Sequence, residues 1–306
     1  MNWFFIALVA PFLWAFVNIA DSYLISKYSQ REKERSSGGL VIFSSLIGIF
    51  IAFLISIFVS GIYDIPFSDK LLLLLAGALT VVWIILYLYT LEIEEISSIV
   101  PWFLTIPIFG YVLGYIFLGE TLTLSQILGS LIIFSGLILI SINFSGEKKS
   151  LKKKPIAYMV FACLIIAISG IIFKYVTVEG NFWISSFWEY LGLGISGLLI
   201  YSFIPKHREE FMYMNRMGGH KIFLVNVVSE LMTISGNLLT NFALLLAPVV
   251  MVYLVSSFQP AIVLFLTILG TKFFPHIIRE NLSMQILFPK IVAIIFMTVG
   301  SVILFL

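Results

Sequence analysis

The 306 residues are 60% hydrophobic and 11% charged, with a mean hydropathy of +1.09 and a formal net charge of +2. Soluble domains average about 45–50% apolar and about 25% charged, so the composition excludes a soluble globular domain, a disordered chain and a nucleic-acid binder. So small a net charge sets up no field that would recruit acidic partners, and a multi-spanning membrane protein whose partner is the lipid bilayer remains.

Ten stretches have the roughly 20 apolar residues that a spanning helix needs. They are 3–25, 40–60, 71–91, 96–118, 124–144, 156–178, 182–204, 222–245, 248–270 and 287–306. Each is continuously apolar, whereas barrel strands would alternate apolar and polar residues, so the expected fold class is an all-α integral membrane protein. The start Met1-Asn2-Trp3-Phe4 lacks a basic segment, and no small-residue cleavage site follows the first apolar run. That run is expected to stay as a helix rather than leave as a signal peptide.

Taken in chain order, the first span places Pro11, Trp14, Asn18 and Asp21 or Ser22 on one face. Asp21, near the span's end, caps it or pairs with Lys27. In the third span Trp83 and Tyr87 are one turn apart with Thr80 below; they wall a solute site, or pack or face lipid as aromatics do. Glu92, Glu94 and Glu95 read as solvated charges in a tight hairpin. Pro101 and Pro107 in the fourth span, and Pro260 in the ninth, each remove a backbone hydrogen bond and favour a kink. Gly110, Gly114, Gly129 and Gly136 suit close helix approach. Cys163, the one cysteine, rules out an internal disulfide and reads as a buried filler.

Charges inside a bilayer are costly and tend to be functional. The sixth span carries Lys174, and the seventh carries Glu189 between Trp188 and Tyr190 at about the same depth. A Lys174–Glu189 pair would lower the burial cost of both; otherwise Lys174 snorkels to the interface. The eighth span gives the clearest pattern: Asn226, Glu230, Thr233, Asn237 and Asn241 recur at helical spacing along one face. Such a face lines a cavity or bonds to a neighbouring helix. In the ninth span Ser256 and Gln259 share a face beside Pro260. Trp14, Asn18, Trp83, Tyr87, Glu230, Thr233, Asn237, Asn241, Ser256 and Gln259 are therefore the candidate substrate-binding residues. A carboxyl held away from water takes up a proton more readily, which makes Glu189 and Glu230, with Lys174, the candidates for ion coupling.

The chain also repeats. Shifted by 153 residues, the segment 90–107 falls on 243–260; the first and sixth spans align at an offset of 152, with Asn18 opposite Gly170. Gly136 pairs with Gly300, which places about eleven extra residues in the basic loop 271–290. Two five-helix repeats result, 1–150 and 151–306. Five spans is an odd number, so the second repeat is inverted in the membrane, and inverted repeats place a substrate site near the midplane between halves.

Several of these residues carry a family resemblance. Pro11-x-x-Trp14-Ala15-x-x-Asn18, Pro107 leading through glycines to Leu118-Gly119-Glu120, and Leu124-Ser125-Gln126-x-x-Gly129 ending at Gly136 resemble the drug/metabolite transporter superfamily in its ten-helix EamA-like branch. In the second half Pro260, Leu269-Gly270 and Gly300 follow the same order, although Thr271 stands where an acidic residue usually follows the glycine. The resemblance implies two inverted five-helix bundles and solute transport by alternating access. It also implies that both termini are cytoplasmic, because the family's ten-helix members usually keep them there. Here the charges point the other way. The loops after the first, third, fifth, seventh and ninth spans lie on one side, and they hold 16 of the 18 lysines and arginines. Cations concentrate in short cytoplasmic loops, which places both termini outside.

The expected function is a secondary active transporter for a small polar or amphipathic metabolite, amino-acid-like or drug-like, in the plasma membrane. The chemical alternative is a flippase for a lipid-linked carrier. An integral membrane enzyme has less support: His207, His220 and His276 are widely spaced in loops, and no metal-ligand or phosphate-binding motif is present. No enzymatic activity, cofactor or metal is expected, and monomer and homodimer are equally compatible with the sequence.

Overall fold

The structure is a computed structural model that describes residues 2–28, 37–93, 96–141, 153–256, 258–273 and 284–303. Every described element is helical. In chain order they are α1 (Asn2–Tyr28), α2 (Gly38–Phe58), α3 (Phe67–Ile93), α4 (Ile96–Ile99), a 3-10 segment (Val100–Thr105), α5 (Ile106–Leu118), α6 (Leu124–Ser141), α7 (Lys153–Thr177), α8 (Phe182–Phe203), α9 (Pro205–Leu246), α10 (Val249–Ser256), α11 (Gln259–Phe273) and α12 (Met284–Ile303). In hydrocarbon no water is available for exposed backbone groups, so a spanning segment must satisfy its own N–H and C=O groups as a helix does. Each of the ten apolar stretches falls on this series. Six helices among the described residues are long and apolar enough to cross a bilayer alone: Asn2–Ile25, Gly38–Phe58, Phe67–Ile93, Lys154–Thr177, Ile222–Leu246 and Val249–Gly270. Their outward faces carry bare apolar side chains such as Phe5, Phe53, Phe58 and Leu231, the surface a multi-pass membrane protein presents to lipid.

The expected kinks in the fourth and ninth spans are breaks. Pro101 lies in the first positions of the 3-10 segment and Pro107 in the first positions of α5. A proline has no N–H to give, and the start of a helix is where none is needed. The chain therefore restarts at each proline instead of bending through it. The ninth span divides likewise into α10 and α11, with Pro260 second in α11.

The loop expected between the seventh and eighth spans is also helical. The segment Pro205–Arg216 bends 101° away from α8. It runs into the spanning part of α9 through Gly219, whose φ of +61° is a left-handed conformation that glycine adopts without penalty. Met214 is buried and Phe211 half-buried against the main core, and Phe211 meets Tyr201 edge-on at 6.0 Å. His207, expected to be solvated, instead packs beside Gly38; His220 is exposed, and His276 lies outside the described residues.

Helices from the two halves interleave. α2 runs along α8 and α9, α3 along α7 and α8, α1 along α9 and α11, α5 along α7 and α10, and α6 along α12. If each span is matched to the one five places on, exchanging the halves carries this set of pairings into itself. Small residues bring the backbones close: Gly48 of α2 abuts Gly194 of α8, and a side chain on Gly77 of α3 would strike the Glu189 carbonyl of α8. Gly300 of α12 sits on the Gly129 carbonyl and Ile133 of α6. Two groups of helix ends also gather. The Ser37 N–H, just before α2, donates to Glu92 at the end of α3, and Gly38 and Gly39 abut Glu210 of α9. Glu92 is thus a half-buried bonding partner rather than a solvated charge; Glu94 and Glu95 lie outside the described residues. At the opposite ends, the turn after α5 meets the end of α7 and the α9–α10 junction.

Candidate functional site

Where the halves meet, eight of the ten spans surround a cavity of about 170 Å³. α6 and α12 contribute nothing to its described lining and pair with each other instead. Each of the ten residues singled out from sequence as substrate-binding lines this one cavity, and so does Glu189.

The first-half wall is aromatic. Tyr87 of α3 is nearly fully buried; its hydroxyl donates to Asn18 Oδ1 of α1 at 2.9 Å, and its ring lies 6.3 Å from Trp83 and 5.6 Å from Phe103 of the 3-10 segment. Trp14, one turn before Asn18, lies with its ring over Gly236 of α9, where a side chain would displace it. Trp83 and Tyr87 therefore face the cavity rather than lipid.

The second-half wall is polar. Glu230, Thr233, Asn237 and Asn241 follow one another along α9, as their spacing requires, and the neighbouring Thr240 joins them. Asn226, at the end of the same face, is not in the lining; it is buried with its amide 3.8 Å from the Met214 sulfur. Glu230 accepts a hydrogen bond from the Ser44 hydroxyl of α2. Glu189 of α8 accepts from Asn241 Nδ2 at 2.8 Å. Gln259 opens α11 and Ser256 closes α10, so both stand at the break of the ninth span.

Two sequence expectations are corrected. Asp21, expected to cap α1 or pair with Lys27, lies in the cavity against Tyr87 and near Glu230; the Lys27 side chain lies outside what the structure describes. Asp21 is two turns past Trp14, so the face that carries Trp14 inward carries Asp21 inward too. Lys174 does not pair with Glu189 and is not among the lining residues. Its Nζ lies 2.6 Å from Glu120 Oε1 and donates to the Ala247 carbonyl at 2.7 Å. Glu120 does mark a turn, as expected, and does more. Gly119 adopts φ +65° to end α5, and the Glu120 N–H closes back on the Gly114 carbonyl at 3.1 Å. The turn aims the carboxylate across the halves, where it also accepts from the first backbone N–H of α10, Val249, at 2.8 Å.

Sequence reasoning missed Ser44, Ser169 and Tyr253, each a cavity residue on an otherwise apolar stretch, and Thr240, which neighbours Asn237 and Asn241 on the polar face of α9. A lone polar residue has no periodicity to expose it. Cys163 is fully buried, as expected, with its thiol 3.2 Å from the Trp102 carbonyl. Among the described residues no group of three or more His, Cys, Asp or Glu could hold a metal.

Comparison with known proteins agrees with this architecture. The EamA-like transporter family matches residues 1–142, the half that contains the first five spans. A solved crystal structure shares the fold over 99% of this chain and 96% of its own, with a TM-score of 0.68 and 12% sequence identity. No curated protein sequence matches the chain.

Proposed function

We propose that the chain is a secondary active transporter that moves a small polar or amphipathic metabolite across the plasma membrane by alternating access. The observation that carries this reading is the shared cavity: residues chosen for polarity or aromatic character on five separate spans converge between the two halves. A site at the junction of inverted repeats is where such carriers bind. The repeats are 1–150 and 151–306, and the exchange symmetry of the helix pairings supports them. Breaks in the fourth and ninth spans, which are equivalent in the repeat, supply the places where each half can bend. The family match over residues 1–142 supports transport as the activity.

The test is solute counterflow. Purified protein in liposomes loaded with a metabolite mixture is expected to exchange labelled solutes that stabilise it in a thermal screen. Liposomes in which every stabilising solute stays outside would overturn the reading. The orientation inferred from the loop charges puts both termini outside. A carboxy-terminal alkaline phosphatase fusion is then expected to be active and a green fluorescent protein fusion dark; the reverse pattern refutes that orientation.

A further inference from the structure

The cavity's charges are all of one sign. Asp21, Glu189 and Glu230 line it, and its described lining holds no lysine, arginine or histidine. Lys174, the basic residue of the sixth span, is committed to Glu120 at one end of the bundle. Asp21 and Glu230 come from opposite halves and lie within electrostatic reach of each other. Carboxylates sharing a cavity of low dielectric repel unless a proton or another positive charge joins them. Facing them are Trp14, Trp83 and Tyr87, whose ring faces attract cations. A further observation concerns a neutral group. Asn18 is 4% exposed, its Oδ1 is taken by Tyr87, and its Nδ2 has no hydrogen-bond partner among the described residues. A buried amide donor left unpaired costs free energy, so it invites an acceptor from whatever occupies the cavity.

We propose that the solute of this cavity is an organic cation, a substituted ammonium group carrying a neutral hydrogen-bond acceptor such as a hydroxyl. The ammonium group lies between Asp21 and Glu230 and against the Trp14, Trp83 and Tyr87 rings, and Asn18 Nδ2 donates to the neutral acceptor. A solute carboxylate would meet three acidic side chains and no basic one, so anions are excluded and zwitterions are penalised. The inference rests on reading the cavity as a solute site and deepens it by naming the substrate class.

The test uses probes of nearly constant shape and varied charge on the purified full-length protein. They are choline and benzyltrimethylammonium as cations, the uncharged analogue of choline with carbon in place of nitrogen, the zwitterion betaine, and the anion tert-butylacetate. Binding is read by thermal stabilisation and by quenching of tryptophan fluorescence, since Trp14 and Trp83 line the cavity. At least one cation is expected to bind about tenfold more tightly than the uncharged analogue, the minimum for a desolvated charge contact, and tert-butylacetate not at all. Combining Asp21→Asn with Glu230→Gln is expected to erase the preference, so that the cations and the uncharged analogue bind alike. Equal or tighter binding of the uncharged, zwitterionic or anionic probe, or no response to either cation, overturns the proposal on the unaltered protein alone. Counterflow separates the two readings. A cation that binds without crossing leaves the site and removes the transporter; a solute of another charge that crosses without cation binding leaves the transporter and removes this proposal.

Discussion

Replacing Glu120 with alanine is expected to lower stability by about 3 kcal/mol, the cost of removing one partner of a buried ion pair. The pair is well enclosed, with Lys174 and Glu120 side chains 11% and 14% exposed. The alanine leaves the Lys174 ammonium with the Ala247 carbonyl alone and takes the acceptor from the Val249 N–H. The ammonium then lacks its counter-charge and the Val249 N–H its acceptor where little water reaches them. Combining Glu120→Gln with Lys174→Met is expected to recover most of the loss, because a neutral pair strands no charge. Thermal melts of the single and double variants in detergent measure both. A Glu120→Ala protein that melts with the parent, or a double variant no better than Glu120→Ala, would show that the pair contributes nothing. The contact ties the first-half turn after α5 to two second-half elements, so the loss reaches the packing of the halves and not only one helix end.

How legible this arrangement was depends on whether a residue belongs to a pattern. Glu230, Thr233, Asn237 and Asn241 stood out because four polar residues at helical spacing define a face, and a face must point somewhere other than lipid. Trp14 and Asn18, one turn apart, stood out for the same reason. Ser44 and Ser169 did not, since a single hydroxyl in a membrane helix satisfies itself on its own backbone as readily as it faces a cavity. Lys174 was placed beside Glu189 by depth alone. Its true partner is 54 positions away in sequence and is aimed by the left-handed turn at Gly119, which sequence marks only as a glycine before an acid. The prolines announced irregular backbone in the fourth and ninth spans but not its form. Pro101 and Pro107 each lack an N–H, and both missing donors are absorbed by restarting the helix twice. Pro205 and the Gly218-Gly219 pair bounded a helix that was read as a loop, because its charged residues hid the buried positions of Phe211 and Met214.

Glu189→Gln is expected to abolish proton-driven accumulation while leaving solute exchange in place, and Glu230→Gln to abolish accumulation and weaken exchange as well. A carboxyl cannot carry a proton and serve as the counter-charge of a bound cation at once, so proton and solute exclude each other and antiport follows. Liposomes acidified inside should then concentrate a cation as protons leave. For one proton per solute, one pH unit is worth about 1.4 kcal/mol, or about tenfold accumulation. The two positions are not equivalent. Glu230 faces Asp21 across the halves and bonds Ser44, so its neutralisation is expected to remove both tight solute binding and coupling. Glu189 is held by Asn241 on the neighbouring helix, apart from that pair, so its neutralisation should leave binding nearly intact and remove only the dependence on the gradient. Uptake and counterflow measured side by side for each variant distinguish these effects. Accumulation that follows the pH gradient in the double variant would exclude both carboxyls as carriers and leave Asp21 as the remaining acid in the cavity lining.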